Sequence, residues 1–124
     1  MIYLLVGIAG SLGATLRYTL GLLLFHEASF PLSTLCINLI GCFLLAYFSV
    51  GMFARSKMSV SVKTAIGTGF IGSFTTFSTV SVETVTMLTE GDIVLGCIYI
   101  FFSLVGGLLM SSFGFYLQKA RKPV

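Results

Sequence analysis

Four apolar stretches, at about residues 2–25, 32–54, 62–88 and 93–117, leave this chain few ways to fold. Each exceeds the ~20 residues that an α-helix needs to cross the hydrocarbon of a bilayer. The second and fourth carry no charged side chain. The first carries only Arg17, and the third only Lys63 near its start and Glu83 inside. The connections at 26–31, 55–61 and 89–92 are too short to hold a soluble domain. A chain that is 56% hydrophobic and 9% charged belongs to the membrane class. The expected fold is therefore all-α: a single four-helix membrane domain over residues 1–124. The N-terminus lacks a basic leading region, and its apolar run is too long for a cleavable signal, so it reads as the first helix.

The third stretch contains the run Gly67-Thr68-Gly69-Phe70-Ile71-Gly72-Ser73-Phe74-Thr75-Thr76-Phe77-Ser78-Thr79. Glycines and hydroxyls at this density weaken a helix where lipid offers no hydrogen-bond partners. A break at membrane depth is tolerated only where protein or a water-filled cavity satisfies the freed groups. The third helix is therefore expected to be broken near its middle. Freed N–H groups favour anions and freed carbonyls favour cations. The break points to ion handling without naming the ion.

Basic residues are unevenly distributed. Arg55, Lys57 and Lys63 cluster between the second and third stretches, and Lys119, Arg121 and Lys122 follow the fourth. The other two connections hold Glu27, Glu90 and Asp92 and no basic residue. By the positive-inside rule, the middle loop and both termini are expected in the cytoplasm. The basic tail is also suited to anionic lipid.

Several residues stand out at membrane depth. Asn38 lies inside the second stretch, where an unpaired amide costs roughly 2–7 kcal/mol. It either bonds across helices or donates to a permeating anion. Tyr99, Ser103 and Gly107 recur every four residues on one face of the fourth helix. Glu83, one turn after Thr79, is a functional candidate by default. Arg17 reads as snorkelling or as capping freed carbonyls. Phe74 and Phe77 flank Thr75-Thr76; an aromatic edge can receive an anion, but composition alone favours phenylalanines that simply face lipid or core.

Small residues form faces on the first helix (Gly7, Gly10, Gly13, Ala14) and on the fourth (Gly106, Gly107, Gly114). Such faces suit close packing within one subunit or a subunit interface; because a four-helix unit is thin for enclosing a polar path, a dimer is the expected reading. Cys36, Cys42 and Cys97 lack metal-site spacing and read as small core residues. His26, alone in a short loop, reads as a solvated residue. No nucleophile–base pair or metal-ligand cluster suggests an enzyme.

The residues that carry a family resemblance are Gly10-Ser11-Leu12-Gly13-Ala14 with Arg17-Tyr18, Asn38-Leu39-Ile40-Gly41-Cys42-Phe43, and Gly69 through Thr79 with Glu83. Together with Tyr99 and Ser103 they resemble the CrcB/Fluc fluoride channels over essentially the whole chain. The resemblance implies passive export of fluoride from the cytoplasm through the cell membrane, by an antiparallel dimer with two pores. It implies that Asn38, Phe77, Thr79, Tyr99 and Ser103 line the anion path. It also implies that the backbone carbonyls of Gly72 and Thr75 hold a structural sodium ion at the dimer centre.

Two features depart from that pattern. Val80 stands where the family usually has a second phenylalanine, and an isopropyl group has no electropositive edge. The strong basic bias also disfavours insertion in both orientations, which an antiparallel homodimer requires. Both departures suggest a heterodimer with an oppositely oriented homologue. Other classes fit less well. A proton-coupled exporter of the small multidrug-resistance type needs a buried glutamate in its first helix, where this chain has Arg17. A non-transporting membrane adaptor would need neither Asn38 nor the hydroxyl-rich break.

Overall fold

The computed structural model describes residues 1–24, 30–52 and 56–120. His26, Glu27, Arg55, Arg121 and Lys122, on which part of the loop and charge reading rests, lie outside the described residues. Among those described, all regular structure is helical.

Helix α1 spans Ile2–Leu23, α2 spans Leu32–Tyr47, and α2 continues through a wide π turn at Phe48–Met52. A short helix α3, Val60–Thr64, opens with the Ser59 side chain accepting from the Val62 amide. It runs into a second π segment, Ala65–Ile71, and then a single turn α4, Gly72–Phe74. Thr75 and Thr76 are extended, and helix α5 follows as Phe77–Thr89. The turn to the last helix uses Gly91 at φ 93°, a left-handed conformation that glycine adopts without penalty. Helix α6 spans Ile93–Ala120.

Among the described residues, three helices are long and apolar enough to cross a membrane: Ile2–Leu23, Leu32–Gly51 and Ile93–Ala120. At 1.5 Å per residue, α6 is about 42 Å long, against roughly 30 Å of hydrocarbon. It runs past the expected end at 117 and carries Gln118 and Lys119 with it. The first helix stops at Leu23, two residues before the expected boundary.

Packing is organised by glycines. Along the α2–α6 seam, a side chain at Gly106 would press on Leu39, and one at Gly114 would come within 2.7 Å of the Phe43 carbonyl. Gly107 faces the Cys42 sulfur. On the other side, α1 meets the second π segment. A Cβ at Gly13 would overlap the Phe70 carbonyl, and one at Gly69 would lie 2.8 Å from the Val6 carbonyl. Gly10 abuts Ser73, whereas Gly7 has open space before it. Both small-residue faces are thus largely used within the chain, and they do not by themselves call for a second subunit. Packing between continuous backbones, rather than a hydrophobic effect, is what such faces supply in lipid.

The small interior centres on Leu35, Met87 and Tyr99, with Phe30, Leu39, Val80 and Leu95 packed around them. The Phe30 ring meets Tyr99 edge-on at 5.5 Å. Large apolar side chains such as Tyr3, Leu4, Leu12, Phe101, Leu104 and Leu108 point outward. That is the surface expected where lipid or another apolar partner covers it. Cys36 and Cys42 are half-buried, but Cys97 is exposed, so the core reading fails for that residue.

Candidate functional site

The unusual chemistry gathers where the backbone leaves the helix between α4 and α5. A helix end leaves backbone groups without intrahelical partners. Asn38, midway along α2, supplies two of them. Its Nδ2 donates to the Thr76 carbonyl at 2.9 Å, and its Oδ1 accepts from the Thr76 amide at 2.8 Å. Of the two roles open to Asn38 in the sequence, an interhelical bond is what the structure contains.

Thr76 is also the N-cap of α5. Its hydroxyl accepts from the Thr79 amide at 3.2 Å, and lies 3.0 Å from the Thr79 hydroxyl and 3.2 Å from that of Ser78. A threonine with extended backbone in this position satisfies one of the free N–H groups of the first turn. Thr75 turns the other way. Its hydroxyl donates to the Ile71 carbonyl at 3.1 Å, with a longer contact of 3.5 Å to the Gly72 carbonyl. Its methyl group fills the space that Gly41 leaves open on α2.

The two phenylalanines beside the break part company. Phe74 is buried and stacks in parallel with Phe70 at 6.4 Å. Phe77 is 84% exposed and meets none of the chain's interior. Val80 packs against the Leu35–Met87–Tyr99 cluster, so it offers its bulk to the interior rather than to the face that Phe77 presents.

Below the break, Glu83 is held by two hydroxyls. Thr34 donates to Oε1 at 2.8 Å and Tyr99 donates to Oε2 at 2.6 Å. One donor on each oxygen fixes the plane of the carboxyl group. Tyr99 is fully buried, so its hydroxyl depends on Glu83 for a partner. Ser103, one turn further along α6, has a buried Oγ with no hydrogen-bond partner among the described residues.

A cavity of about 370 Å³ collects these features. Arg17, Tyr18, Ser33, Thr34, Thr76, Thr79 and Glu83 give it a polar lining, with Ile37 and Leu22 on the apolar side. Arg17 makes no ion pair among the described residues, and it sits in this cavity rather than capping the break. The cavity thus brings together Arg17, Thr79 and Glu83 from the sequence-predicted residues. Phe77 and Ser103 do not line it, and Asn38 and Tyr99 reach it only through Thr76 and Glu83. The lining hydroxyls Ser33, Thr34 and Thr76 carried no assigned role in the sequence. Thr34 lies four residues before Asn38 on the same face of α2, a spacing that signals a shared surface. Thr76 precedes Thr79 by three, the spacing of a helix N-cap.

The fold and site define a multi-pass helical membrane protein with an interrupted helix and a hydroxyl-rich polar cavity. The chain belongs to the family described as CrcB-like protein, Camphor Resistance (CrcB), which it matches over residues 4–115. It is 50% identical over 119 residues to the Fluoride-specific ion channel FluC 1 of Bacillus cereus, covering 94% of this chain and 87% of that one. It is 50% identical over 107 residues to FluC 1 of Desulfitobacterium hafniense, covering 86% and 94%. The Fluoride-specific ion channel FluC 2 of Listeria innocua is 49% identical over 114 residues, covering 92% and 88%.

Proposed function

We propose that this chain is a subunit of a fluoride-specific channel that lets fluoride leave the cytoplasm down its gradient and so limits its toxicity. The observation that carries this reading is the interrupted stretch 60–89, whose break presents the Thr76 and Thr79 hydroxyls to a cavity shared with Arg17. Hydroxyl donors bind a small, strongly hydrated anion without trapping it as a fixed positive charge would. In this reading 60–89 is the third of four membrane crossings. Both termini and the middle loop lie in the cytoplasm, because Lys57, Lys63 and Lys119 all fall there.

Phe77, Thr79, Tyr99 and Ser103 line the proposed path, with Asn38 at the break. The unpartnered Ser103 hydroxyl supports its inclusion, since a buried O–H without a protein partner is available to an ion or water. The exposed ring of Phe77 leaves it able to meet a second subunit, as the proposed dimer requires.

A sodium ion bound by backbone carbonyls fits the chemistry at the end of α4. The Thr76 amide is taken by Asn38, and the Gly72 carbonyl receives only the long Thr75 hydroxyl contact. Gly72 and Thr75 carbonyls would hold the ion, and its charge would offset the concentration of carbonyl dipoles at a subunit junction.

A specific observation favours a heterodimer. Val80 packs against the interior and supplies no aromatic edge, which supports a partner subunit that carries one. The test is fluoride efflux from liposomes holding the purified chain alone, with chloride as comparison. Fluoride flux far above chloride supports the channel. Absence of both, restored by co-expression with a homologue, supports the heterodimer. Absence of both with every homologue leaves the adaptor reading.

A further inference from the structure

We propose that Asn38 is a positioning residue that acts on the ion path through Thr76, and that the Thr76 hydroxyl is itself a lining group of that path. The functional part of this inference rests on the channel reading above.

The geometry is reciprocal. One carboxamide engages both backbone groups of one residue, donating to the Thr76 carbonyl at 2.9 Å and accepting from its amide at 2.8 Å. This replaces, with a single side chain, the pair of backbone bonds that a continuous helix would have given Thr76. Two bonds to one residue fix its rotation as well as its distance. The Thr76 side chain in turn caps α5 and contacts Thr79 and Ser78. Asn38 is absent from the cavity wall, whereas Thr76 and Thr79 are part of it. The order of action is therefore Asn38, then Thr76 backbone, then the hydroxyls that face the cavity. Rotation of Thr76 by loss of the clamp would carry its own hydroxyl, and the cap on Thr79, out of register with Arg17 and Glu83.

The first arm of the test needs no ion flux. Hydrogen–deuterium exchange is followed at the Thr76 amide in wild type, Asn38→Leu, Asn38→Ser and Asn38→Asp in the same detergent. Leucine keeps the volume and offers no acceptor, and serine is too short to reach. Both are expected to speed exchange at Thr76 by about tenfold or more, as loss of a hydrogen bond worth ~1.4 kcal/mol implies. Aspartate retains the acceptor and is expected to keep the amide protected. Equal exchange in wild type and both non-accepting variants overturns the clamp. If leucine prevents folding, serine and aspartate still give the contrast.

The second arm is a double-mutant cycle on fluoride flux, using Asn38→Ser and Thr76→Val, in whichever subunit assembly conducts. If Asn38 works through the Thr76 hydroxyl, the double variant falls to the level of the weaker single, within about twofold. If the two deficits multiply instead, Asn38 contacts the ion independently and the inference fails. Absence of flux in the wild-type assembly counts against the channel reading alone, since the exchange arm is unaffected by it.

Discussion

The α2–α6 seam and the α4–α5 break lie on the two sides of α2, and they are built on opposite rules. Along the seam both backbones are continuous helices, so every internal N–H and C=O is satisfied locally. Side chains there need only fit, and Gly106, Gly107 and Gly114 opposite Leu39, Cys42, Phe43 and Ala46 meet that need. At the break the backbone is not self-sufficient, and Asn38, Thr75 and Thr76 take over its hydrogen bonding. The side chains that take over backbone hydrogen bonds across helices are therefore found where the helix fails, because lipid provides no substitute for water. Their placement also exposes hydroxyls to a cavity, and the same structural necessity supplies the means of handling an ion.

The largest expected effect separates the two regions by function rather than stability. Phe77→Ile removes an aromatic edge from a position that is 84% exposed and packs against no interior group. Fluoride flux is expected to fall by tenfold or more, about 1.4 kcal/mol in barrier height, while thermal stability of the purified protein stays near wild type. Flux that survives the substitution would remove Phe77 from the path.

Matched glycine substitutions sharpen the contrast. Gly114→Ala would press on the Phe43 carbonyl and Ala46, and Gly13→Ala would overlap the Phe70 carbonyl. Each is expected to cost about 1–3 kcal/mol, the usual range for overpacking. The seam variant should lose stability while each folded channel conducts normally. The α1 variant should lose stability and also flux per folded channel, because it displaces the π segment that leads into the break. Thermal melts paired with flux normalised to folded protein distinguish the two. Equal flux per folded channel would mean that α1 merely holds the break in place loosely.

Glu83→Gln tests the carboxyl clamp. The amide keeps one acceptor, so either Thr34 or Tyr99 must lose its present bond. A destabilisation of about 1–2 kcal/mol is expected from one compromised hydrogen bond to a part-buried carboxyl group. Tyr99→Phe keeps the ring against Phe30 and Leu35 and removes only the hydroxyl. Its effect should be no larger than that of Glu83→Gln in a melt, and a larger one would locate the importance of Tyr99 in something other than this bond.

Much of the fold was legible in the sequence because lipid imposes a simple rule on apolar length. Three of the expected stretches contain long apolar helices, Ile2–Leu23, Leu32–Gly51 and Ile93–Ala120. The third stretch was legible as an anomaly, through its glycines and hydroxyls, yet its details were not. Gly67 and Gly69 fall within the π segment at Ala65–Ile71, whereas the extended residues are Thr75 and Thr76, with no glycine between them. What fixes them there is Asn38, distant by 38 residues, and no local pattern reports that pairing. The same holds for Thr34 and Tyr99, far apart in the chain, which both donate to Glu83. The division of Phe74 inward and Phe77 outward also follows from the break, since the extended pair alters the helical phase that would otherwise relate them.

The smallest expected effect concerns Cys97, which tests whether outward positions on α6 contribute anything beyond contact with lipid. The residue is exposed on the helix. Replacing its sulfur by a methyl group leaves the helix propensity favourable and opens no interior cavity. Cys97→Ala is therefore expected to change stability by less than about 0.5 kcal/mol, as exposed substitutions usually do. Flux should also be unchanged. A clear loss of assembly or flux would show that this face of α6 is covered by a second subunit rather than by lipid. In that case the seam side of α2 would no longer be the region where shape alone decides, and the contrast with the break would narrow to hydrogen bonding alone.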